Sequence, residues 1–332
     1  MANRNATPSA FGWDFQVNAA IIIMLDNIKE MTEIRLEGDE DIEVNLDDGT
    51  SILAQAKSVV RSSEDFTNVT ANLKKSLTSL SEAYHNNKSV KQLIYITNSP
   101  NPLHIKDEKQ IFIGLPSRRY YDSLPPKSKK KIDDLLSTLK EPLDKSKLMI
   151  QTLPFETDED KERYKYVWYE INEFLSSIGS DRISKIDLHN IWKGEVFKSG
   201  TKSKKSIKLT KKDIIWPVIV ILTDKVEIDE DLDESEFEEV SKAYSNLINT
   251  CSEKFEFFTK VLYAYNGYQT DKKSKERRVN FIQNESKQFS EILEDDTITI
   301  DNDLKDTLLK VIVKKILDKR CQINQIKQTV NL

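Results

Sequence analysis

Between Asp41 and Lys57 apolar and polar residues alternate, interrupted by Asp47-Asp48-Gly49. This is the pattern of two strands of a hairpin, each with one face toward a core. Ile42, Val44 and Leu46 point one way, and Asp41, Glu43 and Asn45 the other. On the following strand Ile52, Ala54 and Ala56 share one face, while Gln55 and Lys57 share the opposite one. A two-residue Asp48-Gly49 turn pairs residue 47 with 50 and leaves Asp41 and Gln55 on opposite faces. A three-residue loop pairs 46 with 50 and sets Asp41 directly across from Gln55. It also places Gly49 at the left-handed bulge position, where glycine is favoured. The apolar faces coincide only in the second register, so Asp41, Gln55 and Lys57 are expected together on the polar side.

The surrounding pattern gives the hairpin a setting. Residues 13–31 read as a buried helix, and Glu33–Leu36, Asp41–Leu46 and Ser51–Lys57 as strands. Ser62 or Ser63 can cap a long helix with the stripe Phe66, Val69, Leu73, Leu77, Leu80 and Tyr84. Lys91–Thr97 has the continuous apolar centre of a strand buried on both sides. Ile111–Leu115 and Lys147–Pro154 are further candidate strands, with Ser123–Lys131 a loop between them. Beyond residue 155 the character changes: Asp160–Ile178, Glu234–Thr250, Glu253–Tyr265 and Leu304–Gln325 read as helices, with few strand signals between. The expectation is an α/β domain over residues 1–155 and a mainly α-helical domain over residues 156–332.

Two domains also follow from a length of 332 residues. A net charge of −5 excludes a generally basic, DNA-coating protein, so any nucleic-acid contact must use local basic patches or metal ions. Lys127–Lys131, Lys202–Lys212 and Lys272–Arg278 are such patches; the first is equally readable as a solvated segment, the other two read better as solvated loops, and acidic Glu227–Glu239 reads as a solvated helix start. The apolar runs Ala19–Leu25 and Ile214–Leu222, the latter broken at Pro217, fall short of the ~20 residues that span a membrane. Cys251 and Cys321 lack zinc-ligand spacing and read as buried, inert thiols in a reducing cytoplasm.

An Asp on one strand and a Gln-x-Lys pair on the next can hold a divalent metal against a phosphodiester. The carboxylate and amide oxygens bind the cation, and the lysine orients water or balances charge on the phosphorane. Rigid strands suit this task, because small displacements are costly.

Asp41, Gln55 and Lys57 resemble the active-site motif of the PD-(D/E)xK restriction-endonuclease-like nucleases, in the version with Gln in place of the last acidic residue. Phe11-Gly-Trp-Asp-Phe-Gln16 at the start of the first helix, Glu37 ahead of Asp41, and Tyr95-Ile-Thr-Asn98-Ser narrow the likeness. Together these look like the double-stranded DNA endonuclease domain of bacterial anti-phage effectors, the DUF4297-type branch, over residues 8–155. The resemblance implies a restriction-endonuclease-like α/β fold and a Mg²⁺- or Mn²⁺-dependent DNA endonuclease. It makes Asp41 the principal metal ligand, Gln55 a second ligand through its carbonyl, Lys57 the catalytic lysine and Gln16 a supporting residue. Glu37 is a candidate further ligand. Gln55 adds no negative charge, which lowers metal affinity and suits an enzyme kept quiet until activated.

Relatives of this kind are regulated in two ways. One is a Lamassu-like assembly with an SMC-like ATPase and an adaptor; the other is activation by a cyclic oligonucleotide, as in CBASS effectors. A ligand-sensing domain should bring further strands, so the helical reading of residues 156–332 favours an assembly domain and self-association. The remaining alternatives are an RNase or repair nuclease, and an inactive nuclease-fold subunit that only binds DNA or acts as a scaffold. His85, His104 and His189 stand alone and read as structural or exposed. Gly194–Lys202 is a near miss of a phosphate loop with the wrong spacing, which argues against ATP binding.

Overall fold

A computed structural model describes residues 7–60, 68–87, 89–114, 117–156, 158–201, 208–224, 232–248, 254–272, 274–294 and 300–332. The chain divides into two units, Met1–Phe174 with Lys185–Lys211 and Leu175–Ser184 with Lys212–Leu332. The division comes later than the expected 155 because the helix Lys185–Gly200 returns to pack on the first helix and first strand.

The first unit begins with α1 (Thr7–Asp26), β1 (Met31–Leu36), β2 (Ile42–Leu46), β3 (Ser51–Lys57), α2 (Val69–Asn86) and β4 (Val90–Thr97). It continues with β5 (Ser117–Tyr120), α3 (Pro126–Leu136), β6 (Leu148–Thr152), α4 (Asp160–Arg163), α5 (Lys165–Ser177), α6 (Lys185–Gly200) and β7 (Leu209–Thr210). The strands form one seven-stranded sheet in the order β5-β6-β4-β3-β2-β1-β7. β3, β4 and β6 run parallel; the other pairs are antiparallel.

β3 is the middle strand of this sheet, so both of its faces are covered. Leu53 lies in a core with Leu73, Leu77 and Leu80 of α2, Leu93 and Tyr95 of β4, and Ile132 of α3. Burying each such side chain stabilises the fold by roughly 1.5–3 kcal/mol. α1 packs on β1, β2 and β3 and is absent from that core, which puts it on the face of Ile42, Val44, Ile52 and Ala54. Phe15 through Met24 are buried on every side of the helix. The face bearing Gln55 is therefore covered by α2, and only its end at Lys57 stays partly open to solvent, where the hairpin pattern alone implies a fully exposed face.

Several boundaries differ from expectation. α1 starts earlier than residue 13 and ends before Met31, which is already strand. Asp41 occupies a bend just ahead of β2. Ile111 and Phe112 close a 3-10 turn (Lys106–Phe112), and the edge strand is Ser117–Tyr120 instead. The expected loop at Ser123–Lys131 becomes α3, because Pro126 at the first helical position starts a helix. Leu115, Ser62, Ser63 and Phe66 lie outside the described residues.

The second unit contains, among its described residues, only helical elements. These are most of α7 (Lys211–Asp224), α8 (Glu234–Ile248), α9 (Lys254–Gly267), α10 (Ser274–Glu285), a 3-10 segment Ser286–Glu294, α11 (Asn302–Asp318) and α12 (Arg320–Val330). Trp216, Leu247, Phe258, Phe281, Phe289, Ile312 and Ile316 form its buried interior. Leu304–Gln325 is two helices, broken at Lys319. Cys321 is exposed, contrary to the expected buried thiol, and Cys251 lies outside the described residues. No helix among the described residues is long and apolar enough to cross a membrane.

Candidate functional site

The β2–β3 register is the one required by the alternation. Ile42 pairs with Ala54 and Val44 with Ile52, which brings Asp41 opposite Gln55 one step further along. Leu46 N–H donates to Thr50 O at 2.9 Å, and Gly49 takes φ +79°, as the three-residue loop demands.

At the other end of β2, residues 37–41 form a tight turn. Glu37 N–H donates to Asp41 O at 3.2 Å and Gly38 N–H to Glu40 O at 3.1 Å. Glu37 is held at φ +53°, a left-handed conformation costing a non-glycine residue roughly 1–2 kcal/mol. Strain of this kind persists where surrounding contacts over-determine it, often at functional sites. A Cβ at Gly38 would lie 2.6 Å from Glu43 Oε2 and 2.7 Å from Arg35 Nε, so the ends of those two flexible side chains would have to move aside.

The turn joins elements from both layers. From α1, Gln16 Nε2 donates to Glu37 Oε1 at 2.8 Å and to Asp41 O at 3.0 Å. From β3, Ala56 N–H and Lys57 Nζ donate to Asp41 Oδ2 at 2.9 and 3.1 Å. The Lys57 and Asp41 side chains remain 30% and 19% exposed, enough for contact with a ligand. Gln16, Glu37, Asp41 and Lys57 are thus connected directly. Gln55 is 6% exposed on the same strand face and shares no hydrogen bond with them.

The polar residues in and just ahead of β2 differ in their commitments. Asn45 donates to Glu33 at 2.9 Å, and Glu43 is ion-paired with Arg35. Asp41 pairs across to β3, and its Oδ1 has no hydrogen-bond partner among the described residues.

Glu40 is the residue that strand alternation misses, because it lies in a bend with no periodicity. It is 5% exposed; Ser79 Oγ of α2 donates to its Oε1 at 2.9 Å, and its buried Oε2 has no partner among the described residues. An unsatisfied buried acceptor costs about 1–3 kcal/mol. Burial pushes this carboxyl up from 4.5 to about 7; the Ser79 hydrogen bond and Lys57 oppose the shift, while Asp41 and Glu82 add to it. Its only signal in the sequence is the density of acids from Glu37 to Asp41.

The site lies at the C-terminal ends of β3 and β4, the end where α/β sheets generally bind ligands. There Asn98, 5% exposed, accepts from Val59 N–H and donates to Val59 O and Phe155 O, fixing the chain beyond Lys57. One turn before Gln16, α1 lines a separate cleft of about 980 Å³ with Phe11, Trp13, Val60, Lys193 and Phe197. None of the five expected site residues lines it.

The remaining motifs resolve structurally. His189 is 1% exposed, accepts from Trp168 Nε1 at Nδ1, and donates through Nε2 to Asn18 Oδ1 at 2.7 Å. His85 Nε2 contacts Pro142 O, and His104 sits in a left-handed turn. Gly194 and Gly200 belong to α6, so the stretch between them is helix and not a phosphate-binding loop, and Lys202 lies outside the described residues.

Asp41, Glu37 and the Gln55 amide are hard oxygen donors of the kind Mg²⁺ prefers. No group of three or more His, Cys, Asp or Glu residues suited to a metal occurs among the described residues. In donor type this set suits such a cation. Comparison with family models, curated proteins and solved structures found no match to this chain.

Proposed function

We propose that this chain is a metal-dependent endonuclease that degrades double-stranded DNA in bacterial anti-phage defence, with Mg²⁺ or Mn²⁺ as cofactor. The observation that carries the reading is the Asp41–Lys57 pair at the end of β3, anchored from α1 by Gln16. It puts a carboxylate with a spare oxygen beside a partly exposed amine. Lys57 can neutralise charge on a phosphate, and Gln16 fixes the turn from which Asp41 projects. A bound divalent cation supplies Lewis-acid polarisation and a more acidic water. In this reading Gln55 contributes its carbonyl, and Glu37 its second carboxylate oxygen. The helical unit docks partners: self-association, or an SMC-like ATPase with an adaptor as in Lamassu-like assemblies.

One contact favours a non-catalytic reading. The Asp41 carboxylate also accepts the Ala56 N–H, a bond that terminates the strand ladder without any ligand. A scaffold or DNA-binding subunit needs nothing more. Incubating supercoiled plasmid with the full chain, in Mg²⁺ or Mn²⁺ and in chelator, separates the two. The nuclease reading expects metal-dependent nicking and linearisation by the parent and none by Asp41→Asn. DNA retention with no cleavage by either protein supports the scaffold instead.

A further inference from the structure

We infer that Glu40 is a further cation ligand, forming with Asp41 a paired-carboxylate site whose second acid comes from the turn and not from β3. This deepens the nuclease reading and rests on it. Buried carboxylate oxygens normally have a partner, and one without invites an explanation such as an ion. Glu40 Oε2 is such an atom, while its Oε1 is fixed by Ser79 Oγ at 2.9 Å. The carboxylate is thus held from α2 with one oxygen uncommitted, within electrostatic reach of both Asp41 and Lys57.

Charge balance points the same way. Among the described residues Lys57 is the cation that acts on Glu40 and pairs with Asp41, and Glu82 adds a further negative charge to Glu40's surroundings. Arg35 is paired with Glu43. A small divalent ion with oxygen ligands offsets this excess, whereas a neutral or anionic ligand does not. The neutrality of Gln55 then has a counterpart. The negative charge missing from β3 is supplied by Glu40, one residue before Asp41.

Calorimetric titration of the full chain with Mn²⁺, in the absence of DNA, tests the inference. The parent is compared with Glu40→Gln, Glu40→Asp and Asp41→Asn. Glu40→Gln preserves the acceptor for Ser79 and is expected to weaken Mn²⁺ binding about tenfold or more. Its melting temperature without metal is expected to equal or exceed the parent's, with a smaller rise on adding Mn²⁺. Glu40→Asp, which keeps the charge, is expected to bind between Glu40→Gln and the parent. Parent-like binding by Glu40→Gln, with loss in Asp41→Asn, would overturn the inference and leave the nuclease reading standing. Parent-like binding by both variants, or none by the parent, would remove the metal site altogether.

Discussion

Gln55 is a buried neutral residue, and in the proposed metal site a carboxylate in its place would hold the cation more tightly. Gln55→Glu is expected to raise Mn²⁺ affinity about tenfold, since a charged ligand replaces a neutral one, while lowering metal-free stability by burying an acid. Calorimetry and melting on one preparation read both effects; unchanged affinity would take Gln55 out of the ligand set. His189 gives a second expectation at this scale. Burial, helped by the charge of Lys193, pushes it from its ordinary 6.5 down to about 4. Between those values the unfolded chain binds a proton that the folded chain does not. The His189 contribution is therefore complete above pH 6.5 and falls by about 3 kcal/mol as pH drops toward 4. Melting temperatures from pH 7.5 to 5 should fall more steeply for the parent than for His189→Gln, and parallel profiles would refute this. Alternation made Asp41 and Lys57 legible as a pair. Glu40 and the Gln16–Glu37 bond were not, because a bend has no period and a helix-to-turn contact leaves no local trace.

The β2–β3 hairpin shows what a pattern can fix among elements. Two faces of different polarity and one glycine define its register, since a one-residue slip would invert every side chain. Gly49 adopts φ +79° with open space around its missing Cβ. Gly49→Ala should then cost only the backbone strain, roughly 1–2 kcal/mol, without affecting metal binding. Denaturant titration measures it, and a neutral effect would question the three-residue loop. Elements specified by long-range packing were harder to read. β5 is a short edge strand whose pairing with β6 depends on residues some thirty positions away. α7 passes through Pro217, which in isolation marks a break; burial of Ile214, Ile215, Val218 and Ile219 outweighs the lost hydrogen bond.

At the scale of the molecule, the chain joins a mixed sheet carrying the candidate site to a unit whose described residues are helical. The change from strand to helix was legible in the composition of the two halves. The return of α6 to the first unit was not, because its face has no distinctive stripe and its partners lie at the start of the chain. The helical unit exposes Phe237, Tyr263 and Val279, apolar side chains available to a partner or a second copy. One site cuts one strand, so double-strand cleavage should rise with self-association. Sedimentation beside a plasmid assay over a concentration series checks this, and complete double-strand cleavage by a monomer would contradict it. The central claim is that Lys57 and Asp41 form a hydrolytic site and not merely an ion pair at the end of a ladder. It is tested most directly by Lys57→Ala, in a plasmid assay with Mg²⁺ or Mn²⁺ and with melting measured alongside. Removing a partly exposed ion pair changes stability by about 1 kcal/mol or less, whereas loss of the lysine should slow cleavage by roughly a hundredfold or more. A parent-like melt with that loss of cleavage is the expected result; cleavage indistinguishable from the parent's, including none by either protein, would contradict the account.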